Sequence, residues 1–201
     1  MIVADYKTVI RGHTLEYFDD SHTYLVDGIR LPSITQMLQR KFAKKYIHVS
    51  SAVLQSAADK GTAVHDAIYR YCTDGTEDES RELRGFKFLQ KQYGFKVIGN
   101  EVPVILFLGE PIAAGRLDMV LEMNGQVGGA DIKRTAVLDK DYLAYQLNIY
   151  RIAYRQSYGI NWEFLKGIQL REYVRRFVPI PIAEDLAWEF IDEYFEEKRH
   201  E

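Results

Sequence analysis

The sequence feature that most constrains the fold is Asn124-Gly125, which lies between two segments of alternating apolar residues. Asn-Gly favours the positive backbone angles of a two-residue type I′ turn, so this pair predicts a tight β-hairpin. A turn of this length pairs Met123 with Gln126, and successive pairs outward bring Asp118 directly opposite Asp131. The sequence therefore predicts that two carboxylates face each other on one side of a hairpin.

The same register assigns the other side chains of the hairpin to its two faces. Arg116 is expected opposite Lys133, on the face that carries the two aspartates. The second face is expected to be almost entirely apolar and to lie against the core. Its residues are Leu117, Met119, Leu121, Gly128, Ala130 and Ile132. A different register remains open, because a β-bulge at Gly128-Gly129 would shift the pairing by one residue.

Two facing carboxylates are an unfavourable choice for a purely structural hairpin. Their Cβ atoms would lie about 5 Å apart, and at an effective dielectric of about 20 their repulsion is roughly 3 kcal/mol. A bound Mg²⁺ would convert that repulsion into coordination, since it takes carboxylate oxygens as ligands. Lys133 is expected to hold a phosphate oxygen or to orient a water on the same face. The set is typical of metal-assisted phosphodiester cleavage. The structural alternative is a surface hairpin whose acids pair with Arg116 and Lys133.

The rest of the chain predicts a mixed central β-sheet flanked by helices, an α/β (α+β) fold in one domain of 201 residues. Residues 1–50 are expected to form a hairpin and a basic helix, and residues 51–201 the core of the domain. Asp27-Gly28 predicts the turn of the first hairpin. Ser33 or Thr35 is expected to cap the helix that follows. Further strands are predicted over 101–108, 115–123, 127–134 and 162–170, and helices over 50–72, 81–93, 141–158 and 182–198.

Charge and cysteine content limit the classes of function. The net charge of −3 excludes coating of nucleic acid by an overall basic surface, but it allows a local groove of clustered cations. Two basic clusters exist, each of which would alone be typical of a solvated face. They are Arg40, Lys41, Lys44 and Lys45, and Arg171, Arg175 and Arg176. The single cysteine, Cys72, excludes an internal disulfide framework and a four-cysteine iron–sulphur cluster, and it fits a reducing cytoplasm. No apolar stretch is long enough to cross a bilayer, so no membrane partner is expected.

Five motifs, in this order, resemble those of the RecB-type exonucleases of the PD-(D/E)xK nuclease superfamily. They are Gly61-Thr62-Ala63-Val64-His65, Glu101, Gly115-Arg116-Leu117-Asp118, Asp131-Ile132-Lys133, and Gln146-Leu147-Asn148-Ile149-Tyr150. Each motif is weak alone, but five in order with family-like spacing make a specific pattern. The preceding segment Leu31-Pro32-Ser33-Ile34-Thr35 is similar to phage members and to the mitochondrial genome maintenance exonuclease branch.

The resemblance implies a restriction-endonuclease-like PD-(D/E)xK core and a deoxyribonuclease that depends on Mg²⁺ or Mn²⁺. The metal ligands that it implies are Asp118, Asp131 and His65. Lys133 is expected to activate water, Gln146 to bond that lysine or a phosphate, and Tyr150 to support DNA or the wall of the site. Glu101 is expected as a further catalytic residue. Without the resemblance, His65 would be a core histidine with one hydrogen bond, and Glu101 a solvated carboxylate at the start of a strand.

The expected function is exonucleolytic cleavage of DNA in recombination or repair, in the cytoplasm of a bacterium or of a phage-infected host. Two alternatives remain: a structure-specific endonuclease with the same site, and a non-catalytic nucleic-acid-binding module on a nuclease fold. The expected partners are single-stranded DNA or duplex ends, together with a recombination protein or a single-strand-binding protein. The residues expected to contact DNA are Ser33, Thr35, Arg40, Lys41, Lys44, Lys45, Arg116 and Arg134.

Overall fold

The strands of this chain form two β-sheets, and helices lie between and after them in the sequence. The computed structural model describes residues 5–43 and 50–199. Within these ranges the strands are β1 Tyr6–Ile10, β2 His13–Phe18, β3 Thr23–Val26, β4 Ile29–Leu31, β5 Lys96–Leu108, β6 Glu110–Met123, β7 Gln126–Lys133, β8 Phe164–Arg171 and β9 Val174–Ile180. In the same ranges the helices are α1 Ile34–Phe42, α2 Ser51–Asp74, α3 Arg81–Tyr93, α4 Lys140–Tyr158 and α5 Glu184–Arg199. The expected mixture of helices and strands is confirmed.

The first sheet contains β1 to β4, which pair in chain order and antiparallel. Asp27 and Gly28 connect β3 to β4 with φ angles of 51° and 79°, as a tight hairpin turn requires. Ser33 then caps α1, because its hydroxyl accepts the Gln36 N–H while the Gln36 side chain accepts the Ser33 N–H. The first hairpin is therefore confirmed, and Ser33 rather than Thr35 is the cap.

The second sheet has the order β5-β6-β7-β8-β9. Strands β7 and β8 run parallel, joined by a crossover through α4, and the other neighbours run antiparallel. This arrangement is the mixed sheet that the sequence predicts. Strand β9, Val174–Ile180, was not predicted, because two arginines and Pro179 interrupt its apolar alternation. It lies at the edge of the sheet, where such residues are tolerated.

Helices cover both faces of the second sheet. Helices α1, α4 and α5 share one core cluster, which contains Ile152 and Trp162. Helices α2 and α3 pack on the opposite face through Ile68 and Phe86. The first sheet packs on Ile105 of β5 in a third cluster. None of the helices in the described ranges is long and apolar enough to cross a bilayer.

The β6–β7 hairpin has the predicted turn and, over the five pairs next to that turn, the predicted register. Asn124 and Gly125 have φ angles of 54° and 78°, and the pairing runs without a shift from Met123↔Gln126 to Met119↔Ala130. A bulge at Gly128-Gly129 is thereby excluded. These glycines instead allow close packing, since a Cβ on Gly129 would lie 2.1 Å from the Trp162 ring.

Candidate metal centre

The residues expected at the site lie on five neighbouring elements. They are His65 on α2, Glu101 on β5, Asp118 on β6, Asp131 and Lys133 on β7, and Gln146 and Tyr150 on α4. The sheet brings β5, β6 and β7 side by side, with α2 on one face and α4 on the other. The candidate side chains therefore come from three adjacent strands and from one helix on each face of the sheet.

The predicted pairing of Asp118 with Asp131 does not occur. The β6–β7 ladder ends at Met119↔Ala130, one pair before the two aspartates. Beyond that point Oδ2 of Asp118 accepts the Ile132 N–H at 2.7 Å. A side-chain oxygen thus accepts the hydrogen bond that a β6 carbonyl would accept in a continued ladder. Because the ladder has ended, the predicted pairing of Arg116 with Lys133 does not form either. The expectation was wrong because it extended a backbone register past a side chain that competes for the same donor.

The alternation of faces along β6 is also interrupted at Asp118. Met119 and Leu121 pack in the cluster beneath α2 and α3, with Ala130 and Ile132. Leu117, expected on that face, packs on the opposite face beneath α4. A strand with unbroken period-2 geometry would place positions two apart on one face. The interruption sets the Asp118 carboxylate at the boundary between the two layers.

The imidazole of His65 is oriented by the backbone of β7. Its Nε2 lies 3.2 Å from the Ile132 carbonyl oxygen, an arrangement in which the Nε2–H donates to that oxygen. Nδ1 then faces two carboxylates, at 3.7 Å from Glu101 Oε1 and 3.7 Å from Asp118 Oδ1. A histidine that donates one N–H to a carbonyl and presents its other nitrogen to acids is typical of a metal ligand.

Glu101 is held in position by Arg116, a contact that the sequence did not indicate. Oε2 of Glu101 pairs with Nε of Arg116 at 2.7 Å, and both side chains are largely buried. Glu101 adopts a φ of 52°, an uncommon angle for a residue with a side chain, and such strain is frequent at functional sites. The Arg116 guanidinium also lies over the Tyr17 ring, 5.0 Å from its centroid. Arg116 therefore supports the site by holding Glu101, and its predicted contact with DNA stays a prediction.

Three residues could hold a metal ion together. One ligand atom from each of His65, Glu101 and Asp118 lies within 4.8 Å of the other two. The set expected from the sequence was His65, Asp118 and Asp131. Among the described residues, Glu101 takes the place of Asp131 in this group.

The acids and bases of the group alter one another's protonation. Burial favours the neutral imidazole, but the Asp118 and Glu101 carboxylates outweigh it and raise the pKa of His65 to about 9. Burial, together with Glu101, raises the pKa of Asp118 against the opposing effect of His65. The cluster therefore attracts positive charge, either as a proton on the histidine or as a cation.

Asp131 and Lys133 form a separate ion pair beside the group. Their Oδ2 and Nζ lie 2.5 Å apart. Burial raises the pKa of Asp131 to about 6 although Lys133 lowers it, and Asp118 contributes to the increase. The pKa of Lys133 is raised despite burial by the Asp131 and Asp118 carboxylates. The lysine is therefore fully charged at neutral pH.

The two α4 residues have different surroundings. The Tyr150 hydroxyl donates to the Arg116 carbonyl oxygen at 3.1 Å, and its ring would lie 3.0 Å from a Cβ on Gly115. The glycine of the first-strand motif thus makes room for the tyrosine. Oε1 of Gln146 is buried, without a hydrogen-bond partner in the described ranges. The expected bond from Gln146 to Lys133 is not formed in this structure.

The predicted DNA-contacting cations divide into four groups. Lys41 pairs with Glu193 at 3.2 Å, and Arg40 with Glu197 at 3.5 Å, so both contact α5. Arg134 pairs with Glu82 at 2.9 Å and is largely buried. Arg116 supports Glu101, as described above. The remaining two, Lys44 and Lys45, lie outside the described residues.

Two cavities border the site. One of about 660 Å³ is lined by the three candidate ligands and by Ser33, Thr35, Gln36, Gln39, Thr62, Arg116 and Tyr150. The second, of about 510 Å³, is lined by Lys133, Gln39, Phe42 and Tyr142, among others. Gln39 of α1 lines both. The first cavity also includes Tyr17, His22 and Tyr24 of the first sheet. These three residues were not predicted as part of the site, and the aromatic spacing of β2 and β3 was their only signal in the sequence.

The comparisons with known proteins leave the family undefined. No family model matches the chain, and no curated protein matches it. Among solved structures, the crystal structure of SSO0001 is similar with a TM-score of 0.46 and 16% sequence identity, over 82% of this chain and 74% of that one. At this level the likeness bears on neither the family nor the activity of the chain. The class of site is therefore defined by its own geometry, a histidine–carboxylate cluster beside an aspartate–lysine pair.

Proposed function

We propose that this chain is a divalent-metal-dependent DNA exonuclease on a PD-(D/E)xK-like core. The observation that carries the proposal is the convergence of His65 Nδ1 with two carboxylates, next to the Asp131–Lys133 pair. The mixed sheet with helices on both faces is compatible with such a core. The resemblance of the five motifs supplies the reaction class.

The donor set suits Mg²⁺ or Mn²⁺. Glu101 and Asp118 offer hard carboxylate oxygens, which both ions prefer, and His65 offers an imidazole nitrogen that suits a transition metal such as Mn²⁺. The imidazole is oriented for this role, since its other nitrogen is bonded to the Ile132 carbonyl. A bound ion supplies neutralising charge for a phosphodiester and lowers the pKa of water.

The other residues act on the phosphate and on their neighbours. Lys133 carries a positive charge at the rim of the second cavity and can donate to a phosphate oxygen or to an attacking water. Asp131, with a pKa of about 6, can accept a proton at neutral pH. Arg116 holds Glu101 oriented towards His65. Together these groups provide charge stabilisation and proton transfer.

The two cavities provide space for a nucleic-acid strand on either side of the reacting phosphate. One borders Asp118 and the other borders Lys133, and Gln39 lines both. A strand end could therefore extend past the site beneath α1. We place the enzyme in recombination or repair within a bacterial or phage-infected cytoplasm, acting on single-stranded DNA or duplex ends alongside a recombination or single-strand-binding protein.

Cleavage of end-labelled linear DNA in the presence of Mg²⁺ or Mn²⁺ tests the proposal. The wild-type chain is expected to release mononucleotides or short products, and EDTA is expected to stop the reaction. Asp131→Asn is expected to lower the rate by at least about 10²-fold, the usual range for loss of an acid–base or electrostatic group. Asp192→Asn, which changes an exposed aspartate on α5, is the matched control and should retain full activity.

Closed circular DNA in the same assay separates the alternatives. An exonuclease leaves the circle intact, whereas a structure-specific endonuclease with the same site opens it. Binding of DNA without cleavage under every divalent ion would instead identify a non-catalytic module. Cleavage that persists in EDTA would overturn the metal dependence, and a wild-type rate in Asp131→Asn would overturn the role given to Asp131.

A further inference from the structure

A second cationic surface lies at the start of α3 and on the β8–β9 turn. Arg81, Arg84 and Arg175 line a cavity of about 390 Å³ there, with Tyr173 on its rim. We call these four residues and Phe88, which contacts Arg175, the arginine patch. The proposed nuclease chemistry uses none of them, so the patch needs its own explanation.

The arginines of the patch have no carboxylate partner among the described residues, although acidic residues lie nearby. In the acidic loop before α3, Glu77 pairs with Lys87 at 2.5 Å and Asp78 with Arg70 at 4.0 Å. Glu172, which also lines the cavity, pairs with Arg134 at 3.8 Å. The positive charge of the patch is therefore left for a ligand.

Two of the guanidinium groups stack on exposed aromatic rings instead. Arg81 lies 4.4 Å from the centroid of Tyr173, which is 81% exposed. Arg175 lies 3.9 Å from the centroid of Phe88, which is 46% exposed. Helix α3 packs closely on the sheet here, since a Cβ on Gly85 would lie 3.2 Å from the Leu170 side chain and 3.6 Å from Cβ of Arg175. Cations and stacking rings side by side form the combination that binds both backbone and bases of single strands.

The patch lies at the carboxyl end of β8, next to the carboxyl end of β7 where Lys133 of the site lies. Strands β7 and β8 are parallel, with Lys133 beside Gln169, so the β8–β9 turn follows the end of β8 at the edge where β7 also ends. Arg134, next to Lys133, bonds Glu82 of α3 and pairs with Glu172 of the turn. The largely buried Arg134–Glu82 pair fixes the start of α3, which carries Arg81 and Arg84, relative to the site.

The cluster of arginines seen in the sequence is divided by the sheet. Arg175 stacks on Phe88 and so shares the α3 face with Phe177, two residues further along β9. Arg176, the next residue after Arg175, alternates to the opposite face. Arg176 is therefore not part of the patch, and Arg81 and Arg84 of α3 complete it in its place.

We propose that the arginine patch binds single-stranded nucleic acid that extends from the metal centre. The arginines contact its phosphates, and the open face of Tyr173 stacks on a base. The choice of ligand rests on the proposed nuclease function.

Fluorescence anisotropy of a labelled oligothymidylate tests the patch, with the full chain in EDTA so that no cleavage occurs. The double variant R84E/R175E is expected to weaken binding about tenfold or more and to reduce the slope of log affinity against log salt by about 1.4, or about 0.7 per phosphate contact. Tyr173→Ala is expected to weaken binding roughly tenfold through loss of stacking. Arg30→Glu, an exposed arginine on β4 of the first sheet, is the matched control and should bind like the wild type.

Hydrolysis of bis(p-nitrophenyl) phosphate with Mn²⁺ reports separately on the metal centre, because this small substrate does not reach the patch. Unchanged hydrolysis with weakened strand binding supports the proposal. Oligothymidylate affinity that is unchanged in R84E/R175E, as expected if the patch served an acidic protein, overturns it. If the wild type hydrolyses no substrate but R84E/R175E still binds the oligothymidylate more weakly than the wild type does, the nuclease proposal is refuted and the patch proposal stands.

Discussion

Two clusters of partly buried charge in this molecule differ in how their charge is balanced. In the first, which joins α4 to α5, Glu184 pairs with Arg151 and Arg155, each at 2.5 Å. Trp188 donates to the same carboxylate at 3.4 Å. One acid thus meets two cations and a neutral donor. The cluster needs nothing from outside, and its effect is to hold two helices together.

The metal centre has the opposite balance. Glu101, Asp118 and Asp131 face Arg116 and Lys133, so acids exceed permanent cations. A proton on His65 makes up the difference in the metal-free protein, as its raised pKa indicates. The contrast teaches that two charge clusters can be distinguished by whether their acids outnumber their cations. A cluster that lacks a positive charge is arranged for a cation.

Metal addition should produce the largest difference between the two clusters. A divalent ion that binds the folded chain at about 100 times its dissociation constant raises the free energy of unfolding by about 2.7 kcal/mol. Urea unfolding with Mn²⁺ and with EDTA measures this change. Asp118→Asn should remove the stabilisation, and Glu184→Gln should keep it. Equal stabilisation of both variants would show that the ion binds elsewhere.

Breaking the Glu184 cluster, in which cations exceed acids, should have the next largest effect. Glu184→Gln is expected to lower the free energy of unfolding by about 2 kcal/mol, because the Arg151 side chain, 9% exposed, loses a charged acceptor. The hydrogen bond from Arg155 lowers the pKa of Glu184. Its stabilisation is therefore present above the ordinary carboxylate pKa and lost as pH falls through the lowered folded value. Glu189→Gln, an exposed position on the same helix, is the control for urea unfolding at neutral and acidic pH.

The smallest expected effect is a pH dependence of the metal-free protein. The folded pKa of His65 is about 9, above its ordinary 6.5. Its proton therefore stabilises the fold fully below pH 6.5, and this stabilisation is lost as pH rises through 9. In EDTA, the free energy of unfolding should fall between neutral pH and pH 9 by on the order of 1 kcal/mol. His65→Gln should flatten this dependence, and Glu184→Gln should leave it unchanged. A slope that survives in His65→Gln would assign it to other groups.

Local signals in the sequence predicted much of this fold, and the errors occur where tertiary contacts override them. Asn124-Gly125 fixed both turn and register, since hairpin geometry is set by the turn itself. The prediction failed at Asp118, whose side chain takes the Ile132 N–H. No spacing rule could place Arg116 against Glu101, because the pair depends on the bend at a positive φ in β5. Strand β9 was missed because an edge position relaxes the pattern that defines strands.

Ile132 bonds two of the candidate metal ligands, yet it contributes only its backbone. Its N–H binds Asp118 and its carbonyl oxygen accepts from His65, while its side chain is buried beneath α2 and α3. Any β-branched or aliphatic residue that fills the same volume would preserve both bonds. Position 132 should therefore drift freely among apolar residues during evolution. Substitution by proline, which removes the N–H, should abolish the alignment of Asp118.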